Sequence, residues 1–189
     1  MSAGRGRARR PAVEAEGPGA AVLQPRAVRA LGLDVGSVTI GVARGDLEVG
    51  LATAVETLAR VGTVGDVAAI VERVRAGDHR TVVVGWPLEL DGRVGHRAKR
   101  VQVLIDALRG GLDAAGLERV PVVAWDERFS TAAAERTLLA LDTSRARRKA
   151  TVDAHAAQFI LQGWIDAERN RAAAAASQAS ERAHGRGQR

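Results

Sequence analysis

The 189 residues contain no cysteine and no tyrosine, only two phenylalanines, three tryptophans and a single methionine. Without cysteine there can be no disulfide and no thiolate metal site, and the expected setting is a reducing cytoplasm. With so few aromatic side chains, stacking on unpaired bases would contribute little to any contact with nucleic acid. No run of about eighteen apolar residues occurs, so no membrane span is expected. The Arg- and Gly-rich start has no apolar segment of the kind a secretory signal needs.

What is present is arginine, and its placement is uneven. The formal net charge is +6. Residues 1–29 hold six Arg against two Glu, residues 167–189 hold five Arg against two Glu, and the stretch between is close to neutral. Both ends are poor in core-forming residues, so 1–28 reads as a disordered basic arm and 171–189 as a disordered Ala/Arg-rich tail. Such ends hold polyanions by charge alone and do not identify a function.

Between them, about 29–170 reads as one α/β domain. Strands are expected at 30–36, 39–44, 48–55, 80–86 and 120–125. "VGDVAAIVERVRA" (64–76) puts Val67, Val71 and Val74 on one helical face. "HRAKRVQVLIDALRGGL" (96–112) does the same with Val101, Leu104, Leu108 and Leu112, and Gly110–Gly111 should interrupt its end. Ser130 or Thr131 can cap a helix reaching about Leu141. A last helix should run from about Arg147 to Asp166 or slightly further. Three strands followed by strands alternating with helices suggest an antiparallel start, then parallel units: a mixed five-stranded sheet flanked by helices.

Three acidic positions interrupt this apolar pattern. Asp34 stands inside the first strand, "ALGLDVG", where an unpaired carboxylate costs several kcal/mol. Asp126 and Glu127 follow directly on "VPVVAW", at the strand end where α/β sheets place ligands. Asp153 continues the stripe Ala157, Ile160, Trp164 that should pack on the sheet. Each alone has a structural explanation: an ion pair, a helix cap, a favourable place near a helix start. Together they would repel one another, and hard divalent cations with oxygen ligands resolve that repulsion. Mg²⁺ or Mn²⁺, two ions in the usual arrangement, can clamp the attacking and leaving oxygens of a phosphodiester. Adjacent strand residues point to opposite faces, so Asp126 and Glu127 cannot both face Asp34 while the strand lasts. Glu127 is read as the ligand, and Asp126 as a support or helix cap.

"LGLDVGSVTIGVARGD", "VVVGWPLELDGRVG", "VVAWDERFSTAAAE" and "RRKATVDAHAAQFILQGW" resemble, in order, four motif blocks of the YqgF/RuvX family. These are bacterial proteins described as pre-16S rRNA nucleases and as Holliday-junction-resolvase-like. The resemblance spans about residues 30–167. It implies an RNase H-like fold, and it implies Asp34, an acid of the Asp126–Glu127 pair, and Asp153 as metal-binding catalytic acids. There are departures. The family usually carries a basic residue before the Ile-Gly of the second strand, and Val38–Thr39 stand there instead.

Further residues suit a polyanionic substrate. Ser37 lies in a small turn where a phosphate can approach backbone. Arg128 adjoins the acids. "RARRK" supplies Arg145, Arg147, Arg148 and Lys149 shortly before Asp153, placed to bind phosphates beside the scissile bond. The expected substrate is nucleic acid, precursor rRNA or structured DNA, acted on by a monomer or a dimer. Two other classes compete. "GLDVGS" also matches the phosphate loop of sugar kinases and actin-like ATPases, but those need a second such subdomain, and no second copy is present. A non-catalytic nucleic-acid-binding factor keeping the same fold is the other.

Overall fold

The computed structural model describes residues 28–88, 93, 95–126 and 145–186, with the side chains of 145–151 and 180–186 left out. Five strands form one sheet: β1 (Arg29–Val35), β2 (Thr39–Asp46), β3 (Leu51–Ala59), β4 (Thr81–Trp86) and β5 (Val122–Asp126). Their order is β3-β2-β1-β4-β5. β1, β2 and β3 pair antiparallel, and β1, β4 and β5 pair parallel. The described helices are α1 (Thr63–Ala76), α2 (His96–Ala114) and α3 (Arg145–Arg186). The mixed sheet expected from the element order is therefore present, and the expected helix between Ser130 and Leu141 lies outside the described residues.

Strand alternation divides the core into two unequal layers. Leu31, Leu33, Val35, Ile40, Val42, Val82 and Val84 face α1 and α2, where Ile70, Val74, Leu104, Ile105, Leu108 and Leu112 fill the space. The other face carries small residues on β1, β2 and β3, Ala30, Ala43 and Ala52, with Val83 on β4, and meets α3 through Ala157, Ile160, Leu161, Trp164 and Ile165. Large side chains on one face and small ones on the other let a single helix lie close to the sheet.

The structure departs from the sequence reading in three places. Residues 47–50 are a turn, not the start of the third strand, because the Asp46 carboxylate accepts the Glu48 and Val49 amides at 2.8 and 3.1 Å. Gly110 and Gly111 do not interrupt α2. Gly111 lies against Val67 of α1, and a Cβ there would run into that side chain, so the glycine serves helix–helix packing. The last helix does not end near Asp166: α3 continues to Arg186, and residues 171–179 are exposed all round. The Ala run has the highest helix propensity available and extends the packed segment without needing partners. Residues 1–27 of the arm lie outside the described residues.

Candidate active site

β1 leads directly to the first acid. Leu31, Leu33 and Val35 point to the α1–α2 layer, so Ala30, Gly32 and Asp34 point to α3. Asp34 is half-buried and pairs with Gly41 of β2. It thus leaves the thick apolar core for the thin side of the sheet, which is how a carboxylate is tolerated within that strand. A two-residue turn, Ser37–Val38, joins the strands, with the Gly36 N–H donating to the Thr39 carbonyl at 2.9 Å.

The second acid arrives on α3. The Asp153 carbonyl lies so close to Gly41 that a Cβ on that residue would overlap it. Only glycine lets the helix descend this far, and the descent sets Asp153 beside the pair Asp34–Gly41. The Thr39 hydroxyl, on the same face of β2, donates to Asp153 Oδ2 at 2.7 Å. That bond fixes the carboxylate and leaves Oδ1 and the remaining lone pairs for another partner. The expected stripe also holds: Ala157, Ile160 and Trp164 are buried beneath the segment that carries Asp153.

The turn is braced from behind. Arg60, just after β3, donates to the Gly36 carbonyl at 3.2 Å and to Asp66 Oδ2 at 2.8 Å. Asp66 is buried and also accepts the Val61 amide at 2.9 Å. Removing one partner of such a pair strands the other charge. Asp66→Ala is expected to lower stability by about 3 kcal/mol, read as a fall in the urea midpoint. An unchanged midpoint would show that Arg60 finds an equivalent partner.

A cleft of about 400 Å³ opens on this end of the sheet, lined by Val35 to Thr39 of the turn, by Asp153, and by Arg97 and Arg100 of α2. Thr39 and the two arginines carry no motif that marks them in the sequence. The signal for the arginines was their three-residue spacing at the start of α2, flanking the buried Ala98.

Asp126 stands elsewhere. It is in register with Trp86, which packs on the α1–α2 core, whereas Trp125 packs on the α3 side. Alternation therefore sets Asp126 on the sheet face opposite to Asp34. Glu127 and Arg128 lie outside the described residues. Arg145, Arg147, Arg148 and Lys149 fall in the first turns of α3, before Asp153, with side chains outside the description. Among the described residues no three acidic or His side chains gather as a metal cluster, so a cation held by Asp34 and Asp153 would draw any third protein donor from outside them. The two that are described suit a hard cation: both are half-buried oxygen donors, and one opens on a cleft with room for retained waters.

A family model described as RuvX, Holliday junction resolvase, matches residues 28–167. The chain belongs to the RuvX family. Relatives named "Putative pre-16S rRNA nuclease" include one from Myxococcus xanthus, 46% identical over 143 residues, covering 75% of this chain and 90% of that protein. Another, from Caldanaerobacter subterraneus subsp. tengcongensis, is 42% identical over 144 residues, covering 76% and 99%. The resemblance read from four sequence blocks is thus confirmed across the RuvX segment, and the mixed five-stranded sheet expected with it is present. A solved structure of Thermus thermophilus RuvC with a Holliday junction substrate aligns with TM-score 0.48 at 18% identity, over 75% of this chain and 97% of that one. The extension of α3 beyond residue 167 lies outside the family match.

Proposed function

We propose that this chain is a divalent-metal-dependent nuclease that hydrolyses phosphodiester bonds, acting in the cytoplasm on the 5′ side of precursor 16S rRNA. The observation that carries the reading is the pairing of Asp34 with Gly41, against which Asp153 is set and held by the Thr39 hydroxyl at 2.7 Å. Membership of a family with nuclease-named relatives supports the reaction class. Asp34, Asp153 and Glu127 would hold Mg²⁺ or Mn²⁺, in two ions. Bound there, the cations supply Lewis acidity toward the phosphate. Thr39 keeps Asp153 from turning away, and Ser37 offers a small turn beside the entering backbone. Arg128, Arg145, Arg147, Arg148 and Lys149 would hold neighbouring phosphates.

The family description favours a second reading, cleavage of a four-way DNA junction. Two symmetric cuts would then need two copies of the site, hence a dimer. The deciding experiment offers the purified chain both substrates with Mg²⁺, with Mn²⁺ and with EDTA, and maps product ends. Metal-dependent cuts in precursor rRNA support the first reading; paired symmetric nicks in the junction replace it with the second. Binding without cleavage of either would leave a non-catalytic factor.

The choice between the adjacent acids is open to a direct test. Continued alternation past Asp126 would turn the next side chain toward the Asp34 face. Glu127→Gln should raise the Mg²⁺ needed for half-maximal rate by about tenfold or more and remove most activity. Asp126→Asn should keep the wild-type Mg²⁺ midpoint. A titration unchanged in both variants would show that the third donor is neither residue.

A further inference from the structure

The cleft has two walls of opposite charge. Asp153 and the β1–β2 turn form one, and Arg97 and Arg100 form the other. Both arginines are exposed. Among the described residues neither makes an ion pair or a side-chain hydrogen bond, although the other surface arginines of this domain commonly do: Arg73 with Glu56, Arg75 with Glu72, Arg109 with Asp106. The first turn of α2 contains no acid that would pair with them. Arg100 also borders a second shallow cleft with His96, Lys99 and Val103, so positive charge continues from the active-site cleft over the start of α2.

Two unpaired guanidinium groups cost little in water but gain from a polyanion that releases its counterions. Their planar donor sets match phosphate oxygens. The acids opposite would repel an anion unless cations screened them. The two walls therefore suit consecutive positions of one nucleic-acid strand, with one phosphate at the acidic wall and the next at the basic wall.

We propose that Arg97 and Arg100 form a phosphate-binding subsite for the strand flanking the scissile bond, and that this strand leaves the cleft across the first turns of α2. This rests on the nuclease reading for its orientation, but the binding itself does not require cleavage. The test is therefore made without metal. A fluorescein-labelled RNA spanning the 5′ side of precursor 16S rRNA, and a four-way DNA junction, are titrated in EDTA at several salt concentrations. The chain carries either Arg97→Gln with Arg100→Gln, or the control pair Arg75→Gln with Arg119→Gln, which removes equal charge at the other end of α2. The cleft pair should weaken binding about tenfold and reduce the salt slope by about 1.5, the order expected for two phosphate contacts. Arg97→Lys with Arg100→Lys should restore most of the slope, since charge is retained. The control pair should move the slope less than the cleft pair does.

Equal loss in the cleft and control pairs would overturn the subsite, because net charge alone would then explain the effect. So would wild-type binding by the cleft pair in a protein with an unchanged melting curve. Absence of cleavage in the wild type, with the slope change intact, would overturn the nuclease reading and leave the subsite standing.

Discussion

An Asp34→Asn protein is expected to fold normally and to lose metal-dependent cleavage by at least about a hundredfold, the scale of losing a principal electrostatic element of a site. The substitution keeps the shape of the side chain. It removes the charge that would hold a cation beside Asp153, and it does so on the thin, half-buried side of the sheet rather than inside the Leu33–Ile40 core. The fold should persist, with a melting temperature close to wild type as the expected companion result. Cleavage is measured as single-turnover rate against Mg²⁺ concentration. Near wild-type rates in the folded variant would remove Asp34 from the chemistry and, with it, the proposed two-metal site.

Gly41→Ala is expected to damage both fold and activity. The added methyl would overlap the Asp153 carbonyl, a backbone atom that cannot swing aside as a side-chain tip would. Either β2 bends or α3 lifts at this point. Overpacking of this kind costs about 1–3 kcal/mol, and lifting α3 would draw Asp153 away from Thr39 and from Asp34. A displacement of about 1 Å in such a constellation can cost a hundredfold in rate. Gly110→Ala provides the contrast. That glycine sits in α2 with open space at its Cβ position, so the exchange should raise stability by up to about 1 kcal/mol through helix propensity and leave activity alone. Thermal unfolding and single-turnover rates on both proteins decide the matter. Wild-type stability and rate in Gly41→Ala would show that α3 can shift away from β2 at no cost to the site.

Gly41 also shows why the site was only partly legible in advance. In the sequence it is one glycine in "VTIGVARG", with no local mark to separate it from a bulge or a turn residue. Its role depends on a helix more than a hundred residues later. Asp153 was legible because helical periodicity carried it onto the apolar stripe with Ala157, Ile160 and Trp164. Thr39 was visible as a departure from the family's basic residue, but its hydroxyl bond to Asp153 spans 114 positions, and no periodicity reports such a contact. Arg97 and Arg100 were hidden likewise, since they meet the β1–β2 turn and Asp153 only across the folded cleft.

By itself the sequence determined the alternation of strands and helices, the apolar faces of α1 and α2, the family, and the acids worth following. These are properties of short windows or of ordered motif blocks, and hydrophobic period and motif order survive without knowledge of distant neighbours. Tertiary structure alone decided which face of the sheet each acid occupies. Asp34 and Asp126 both lie in apolar strand contexts, yet the register of β1, β4 and β5 turns one toward α3 and the other away. It also decided where α3 ends. Apolar packing stops near Trp164 and Ile165, and the last contact with the rest of the domain among the described residues is Arg169 donating to the Leu47 and Glu48 carbonyls. Backbone hydrogen bonds and alanine propensity nonetheless carry the helix on to Arg186. Side-chain direction and long-range pairing depend on register between chain segments far apart, and register is fixed only when the segments meet.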